Sequence, residues 1–554
     1  MKYITFIALA AMLAATASAQ PSIFANGIVN SASYAKPGLP NAGIAEGSIF
    51  TIFGNNIGPS SPVQVSAFPI GTNLGGTTVN VSAGGTNYPA PVIFTSQSQV
   101  SAIMPSNVPA GSANVTVGFN GSTSASQPIT VVPSSFGVYS TNQQGTGSAV
   151  VQNANFQLFT PTSAALPGDV AILWGTGLGP VSFSDAGAPQ ATNLTNIPAE
   201  LYIGGQPVNL TYRGRSGCCS GVDQLVFTVP SGVSGCNVSV SVKINNVVSP
   251  TTTMPIGSGS SRVCSDPTGF STGDLSTLLG KSTFNVGSIV LLHENISINV
   301  GPPIGNFSEV SDIGSASFEQ YTPATFTASS AAFQLPSVGS CTILTASGSS
   351  TSGVPVNTIG LDAGPAINIK RPDGTAKQLT AVSGQKGEYS GTLSSGTPPA
   401  TVTSFLTGGP YAIDNAGGGA DVKGFSFSLP AGPPLTWTNS ASASTITRSS
   451  GFTVTWSGGD PNSYAFIVGN STTTGTPSLS VTFYCIAPVA PGSFKIGPEV
   501  LDQLPASSPS TGGFSFGGFM GVGSLSTPVK FTAPGLDYGS AFSESVNGTG
   551  VSWQ

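Results

Sequence analysis

Charge is scarce in this 554-residue chain: Lys and Arg number 15, Asp and Glu 21, and only 6% of residues are charged, against about 25% in an average globular domain. The net charge of −6 leaves no clustered cations to displace counterions from a phosphate backbone, which argues against nucleic-acid binding. Histidine occurs once, at His293. With no C-x-x-C pair either, the usual zinc ligand sets are missing, and no metal or cofactor is expected. Sustained 3.6-residue apolar periodicity is lacking too, because 72 Gly and 44 Pro are scattered along the chain and break long helices. Beyond residue 19 no apolar run approaches the roughly 20 residues of a bilayer-spanning helix. The best candidate, Ser288 to Leu292, is interrupted by His293 and Glu294, so no membrane span is expected there.

What is present is enough to fold. Hydrophobic residues make up 39% of the chain, with 30 Phe and 12 Tyr, ample apolar surface for burial. Short Val, Ile, Phe and Thr runs lie between Gly and Pro breakers, and several alternate strictly: Val79 to Val81, Val115 to Val117, Val238 to Val242 and Phe452 to Trp456. Alternation of this kind places one face on a core and the other in water, as in half-buried antiparallel strands. The fold class is therefore all-β.

Residues 1–19 combine a lysine, the apolar stretch Ile4 to Ala15 and Ala17-Ser18-Ala19, the pattern of a cleaved signal peptide. Six cysteines follow it: Cys218, Cys219, Cys236, Cys264, Cys341 and Cys485. An even count in an exported chain favours disulfides. Neighbouring cysteines such as Cys218 and Cys219 rarely bond each other because the geometry is strained, so each is expected to bond Cys236 or Cys264. Pairing of Cys341 with Cys485 stays open at this stage.

The strongest internal signal is a repeat. Gly47 to Pro59 matches Gly168 to Pro180 without a gap, at an offset of 121 residues. Further on, Gly84-Gly85 answers Gly204-Gly205, Ile103 to Pro105 answers Thr228 to Pro230, and Val115 to Val117 answers Val240 to Val242. Two tandem homologous domains are expected, each a strand, a Gly-rich turn, a strand ending in Gly-Gly, a strand leading into Pro and a final hairpin, as in an antiparallel sandwich.

These residues resemble the immunoglobulin-like IPT/TIG-type modules. The segment Gly27 to Tyr34 together with Gly47 to Pro59 is similar to the Solibacter-type C-terminal domain family of secreted acidobacterial proteins, and Arg215 to Gln224 looks like a variant of it. The resemblance covers residues 23–257 firmly and the rest loosely. It implies tandem immunoglobulin-like β-sandwich domains and no established catalytic activity. The expected division is a signal peptide (1–19), two such domains (23–133 and 134–257), a third β domain (265–430) with a tight turn at Asp373-Gly374, and a fourth sandwich (433–554). Val132 to Ser135, Gly257 to Ser261 and Pro430 to Pro434 are the candidate linkers.

Candidate chemistry is sparse. Gly269 to Gly273 and Gly513 to Gly517 match the G-x-S-x-G pattern at Ser271 and Ser515, but no histidine follows Ser515, and no helical pattern between Ser271 and His293 suggests a hydrolase sheet. Gly175, Gly177 and Gly179 suggest a phosphate-cradling loop, which the repeat places instead in a sandwich turn. His293 lacks an evident orienting carboxylate, since Glu294 points to the opposite strand face. Asp414 and Asp421 flank Gly417 to Gly419, yet two acids fall short of the six to eight oxygens calcium takes. No carboxylate dyad stands out. Trp174 and Trp456 are expected in sandwich cores, while Trp437 and Trp553 are the candidates for stacking on a sugar. The expected protein is thus secreted, non-catalytic and multi-domain, a structural, adhesive or glycan-binding component whose partner is an extracellular glycan or cell-surface protein. The alternative is an extracellular hydrolase with its site in residues 265–430.

Overall fold

The structure, a computed structural model, describes residues 20–299, 306–328, 335–347, 350–351, 358–395, 402–473, 478–508 and 517–554. The expected signal peptide and Ser515 lie outside them. The described residues are built of antiparallel sheets with only short helices, and the chain is an all-β protein of immunoglobulin-like sandwiches.

The first module packs two sheets. One has the order Ser22–Asn30, Ile49–Asn55, Gln99–Ile103, Val92–Thr95, Val63–Gln64; the other has Ile44–Ala45, Gln127–Val132, Gly111–Phe119, Thr77–Ala83, Asn73–Leu74. The second module repeats the plan, with Val170–Thr176 beside Asp223–Thr228 in one sheet and Gly235–Ile244 between Thr252–Ile256 and Ala199–Ile203 in the other. Each also begins its second sheet with a short strand running parallel to its neighbour. The alternation read from sequence is the burial pattern observed: Val79, Val81, Val115 and Val117 are fully buried, as are Val240 and Val242. The repeated Gly-Gly pairs close two-residue hairpins between Ala83 and Thr86 and between Ile203 and Gln206. Gly84, Gly85, Gly204 and Gly205 all have positive φ, which a type I′ turn requires at both positions and other residues adopt at a cost.

The rest of the chain departs from the expected division. Segments 265–430 and 433–554, read from the sequence as separate domains, contribute to one fifteen-stranded sheet. Its centre is the long hairpin Phe284–Asn299 and Asn306–Tyr321, and the first of these strands runs parallel to Tyr538–Gly550 from Val286 opposite Tyr538 to Ser297 opposite Thr549. Further out, Cys341–Ser347 pairs with Leu479–Pro488. Pairings that join residues 250 positions apart leave no periodic trace in sequence, which is why the boundary at 430–433 misleads. Two apolar cores lie along this sheet, one around Phe318, Leu379 and Ile413 and the other around Trp456, Phe483 and Trp553.

The modules are joined by buried polar side chains. Asn30 donates to Ser135 O (3.2 Å) and Thr176 O (3.3 Å), while the Ile49 amide donates to Thr176 Oγ1 (2.9 Å). Arg215 of the second module is 4% exposed; it pairs with Asp223 and donates to Gly179 O (2.6 Å) and, across the junction, to Gly47 O (3.0 Å). Asp185 accepts from both the amide and the hydroxyl of Ser106. The second module is fixed to the fused body by Lys243 and Asp502 (3.0 Å) and by Gln503, which accepts from the Thr251 amide and donates to its hydroxyl.

Removing one member of a buried pair strands the other, at about 3–5 kcal/mol, whereas replacing both with apolar groups costs less. Denaturant unfolding should therefore show Arg215→Ala losing stability on that scale and Arg215→Met with Asp223→Leu losing less. Equal losses contradict the buried-pair reading.

Candidate functional site

His293 has the orienting carboxylate that the sequence did not reveal. It lies opposite Asp312 in the long hairpin, with Nδ1 at 2.6 Å from Asp312 Oδ1. Asp312 is fully buried, and its other oxygen accepts from the Ser404 hydroxyl (2.7 Å), the Leu406 amide (2.9 Å) and the Phe405 amide. Burial works against its ionisation, but the hydrogen bonds from His293, Leu406, Ser404 and Phe405 outweigh it and hold the carboxyl below its ordinary range. The Ser404 hydroxyl lies 3.4 Å from the same Nδ1 that meets Asp312. A nucleophile and base would instead meet through the ring's other nitrogen, leaving Nδ1 to the orienting acid. This arrangement makes the carboxylate a clamp that gathers a loop onto the hairpin.

The remaining sequence candidates fall into structural roles. Ser271 caps the helix Thr272–Leu279 and forms a reciprocal capping box with Asp274; this helix of eight residues was unforeseen in the sequence. The loop around Gly177 does cradle an anion, and the anion is the chain's own: Asp223 accepts from the Gly177 and Leu178 amides, both at 2.8 Å. Burial pushes its carboxyl up, against Arg215 and these amides. Asp414 accepts from Asn368 (2.7 Å), and Asp421 pairs with Lys386 (2.7 Å). The loop carbonyls of Gly419 and Ala420 are taken by Lys423 Nζ, so the site of a cation is filled by an ammonium. Among the described residues no three metal-ligating side chains converge.

The tryptophan expectations need correction. Trp437 and Trp553 are 7% and 1% exposed and donate to Asn439 Oδ1 and Asn470 O, so neither offers a face to a sugar. Trp174 lies half-buried outside the core, donating to Gln152 (2.8 Å). Among the described residues the exposed aromatic rings are Phe24, Phe68 and Phe156.

The cysteine expectation is corrected as well. Cys236 bonds Cys264 (Cα–Cα 5.2 Å), Cys341 bonds Cys485 (4.1 Å), and Cys218 and Cys219 are exposed free thiols. The loop carrying Cys218 and Cys219 follows the strand Leu210–Arg215 in one sheet of the second module, whereas Cys236 lies on Gly235–Ile244 in the other.

Two features escaped sequence reasoning. Glu544 is buried in the fused sheet, and burial together with the nearby Glu294 carboxylate pushes its pKa up to about 8. The second is a cavity of about 90 Å³ where the second module meets the fused body. Its walls include Phe270, Phe326 and Tyr538, and Asp266, whose carboxyl burial pushes up to about 6.

No family model and no curated protein matches the chain. Among solved structures it is similar to a tetra-tandem repeat in the extending region of a large adhesion protein, at 11% identity over 91% of this chain and 97% of that one, with a TM-score of 0.13. It is also similar to SGBP-B of the Bacteroides ovatus mixed-linkage glucan utilization locus, in complex with a mixed-linkage heptasaccharide (10% identity, 63% and 67% covered, TM-score 0.19). A third is the titin Ig tandem A164-A165 (6% identity, 39% and 90% covered, TM-score 0.12). No helix among the described residues is long and apolar enough to cross a membrane.

Two measurements check these assignments. Thiol labelling of the folded protein should count two reactive groups, and six after unfolding with reductant. For Glu544, the unfolded chain releases its proton near the ordinary glutamate value of 4.5 while the folded chain keeps it to about 8. Its contribution to stability is therefore complete below 4.5 and is lost as pH rises through 8, with a slope approaching about 1.4 kcal/mol per pH unit. Glu544→Gln should remove that part of the pH dependence, and an unchanged profile contradicts the assignment.

Proposed function

We propose that the protein is an exported, non-catalytic, multi-module β protein that serves outside the cell as a structural, adhesive or glycan-binding component. The observation that carries this reading is the junction chemistry. Asn30, Arg215, Lys243 and Gln503 join consecutive sandwiches through hydrogen bonds and ion pairs shielded from water, so the segment Val132 to Ser135 is tied down: the Ser134 and Ser135 hydroxyls donate to Leu178 O and Asn41 O. Modules fixed in this way hold surfaces at set spacings and transmit force, which suits a scaffold or an adhesin.

Export is supported by the signal-like residues 1–19 and by two disulfides, which persist in oxidising compartments. The likeness of Gly47 to Pro59 and Gly168 to Pro180 to IPT/TIG-type modules agrees with a binding or spacing role. Sugar contact would fall to the exposed rings Phe24, Phe68 and Phe156, since stacking needs an open aromatic face. In a screen of the purified protein against polysaccharides and whole cells, retention at micromolar concentrations is expected, weakened by changing these three residues to Ser. No retention on any surface contradicts the binding role.

A second reading, an extracellular hydrolase with its site in residues 265–430, draws on His293 held by Asp312. It requires a glycosidase, esterase or peptidase activity that His293→Ala abolishes, and a substrate panel without activity removes it.

A further inference from the structure

Four lysine–aspartate pairs occur among the described residues, and three of them sit at the surface: the side chains of Lys281, Lys386 and Lys530 are 42%, 59% and 53% exposed. Lys243 and Asp502 differ. Their side chains are 11% and 9% exposed, and Nζ lies 3.0 Å from Oδ2. Lys243 stands on the strand Gly235–Ile244 of the second module, and Asp502 directly follows the short helix Pro498–Leu501 of the fused body, so the contact joins residues 259 positions apart across a junction. The opposing strand offers Lys243 a second carboxylate, Glu200, but that one accepts from the Tyr202 hydroxyl (2.5 Å). Glu499 completes the group. It lies three residues before Asp502, on the same side of the helical turn, and is 6% exposed. Burial raises its carboxyl above the ordinary glutamate range, helped by the Asp502 charge and opposed by its own amide and by Lys243 and Lys495.

In water an ammonium and a carboxylate stay charged and do not react. Away from water both lose their hydration, and passage of a proton from Lys243 to Asp502 gives an amine and a carboxylic acid, the neutral forms that burial favours. A desolvated lysine amine is a nucleophile, and partners held together by a fold react as if at an effective concentration of about 10⁵ M or more. Attack of Nζ on Asp502 Cγ forms a C–N bond and breaks a C–O bond, and the departing oxygen leaves as water with a proton from the nitrogen. One ammonium and one carboxylate thus become one amide and one water, with no oxidant and no net change in protons. The buried pair Arg215–Asp223 has no such outlet, because a guanidinium does not give up its proton.

We propose that Lys243 and Asp502 are joined by an isopeptide bond between Nζ and Cγ, with Glu499 as the neighbouring acid that carries the proton from the nitrogen to the departing oxygen. The bond ties the second module to the fused body covalently and, unlike the two disulfides, withstands reductant. It goes beyond the structural or adhesive role and is independent of what the protein binds, since a mass alone detects it.

Mass spectrometry of the full chain, reduced and unfolded, tests it. The intact mass should fall short of the sequence mass by one water, and trypsin should leave Lys243 uncut and release a branched peptide carrying Lys243 and Asp502. Lys243→Arg keeps the ion pair without a nucleophilic amine and should restore the full mass; Asp502→Ala should do the same where the arginine variant does not fold, and the wild-type measurement needs no variant at all. Glu499→Gln, which has no proton to pass on, should leave a measurable share of chains at full mass. A wild-type chain at full mass with Lys243 cleaved, a missing water that persists in folded Lys243→Arg, or Glu499→Gln chains linked as completely as wild type would overturn the proposal.

Discussion

A buried guanidinium governs how this chain is put together. Taking Arg215 out of water costs several kcal/mol unless its charge is paired and its donors find acceptors, and three bonds do this, to Asp223, Gly179 and, across the junction, Gly47. In the first module the amide of Ile57, which aligns with Leu178, donates instead to the Gln97 carbonyl. The same loop is therefore held by backbone in one copy and by a carboxylate in the other. Only the second copy can hold Arg215, and Arg215 reaches back to the first. In a chain with so few charges, spending an ion pair at a junction fixes the orientation of one module on the next.

The fused body meets a different constraint. The parallel strand Tyr538–Gly550 must lie beside Phe284–Asn299, so the last residues of the chain complete a sheet begun 250 positions earlier. Burial between these strands places Glu544 in apolar surroundings, where its proton is held to unusually high pH. The Cys341–Cys485 bond ties neighbouring strands from the two halves of the body, closing a long loop whose freedom in the unfolded chain would otherwise oppose folding.

What could be read in the sequence was local. Valine alternation and the Gly-Gly turns depend on neighbouring residues, so the all-β class and the duplication of the first two modules were visible. What depended on register was hidden. His293 and Asp312 become partners only when the hairpin is paired residue by residue, and nothing in the sequence near His293 reports it. The cysteines misled because nearness in sequence put Cys218 and Cys219 with Cys236, while the sandwich puts them in opposite sheets. The tryptophans misled in both directions, Trp174 turning outward and Trp437 and Trp553 inward. The cavity had no sequence signal, since Thr141, Asp266 and Tyr538 come from separate segments and meet only when two bodies dock.

The central claim is that the modules form one body through buried polar contacts, and amide hydrogen exchange tests it most directly. The amides of Ile49, Ser106 and Thr251 donate across junctions to Thr176 Oγ1, Asp185 Oδ2 and Gln503 Oε1. They should exchange as slowly as core-strand amides such as those of Ile52 and Leu173, opening only with the modules themselves. Exchange of these three at the rate of the exposed Gly84 turn, while Ile52 and Leu173 stay protected, would show sandwiches that are merely strung together.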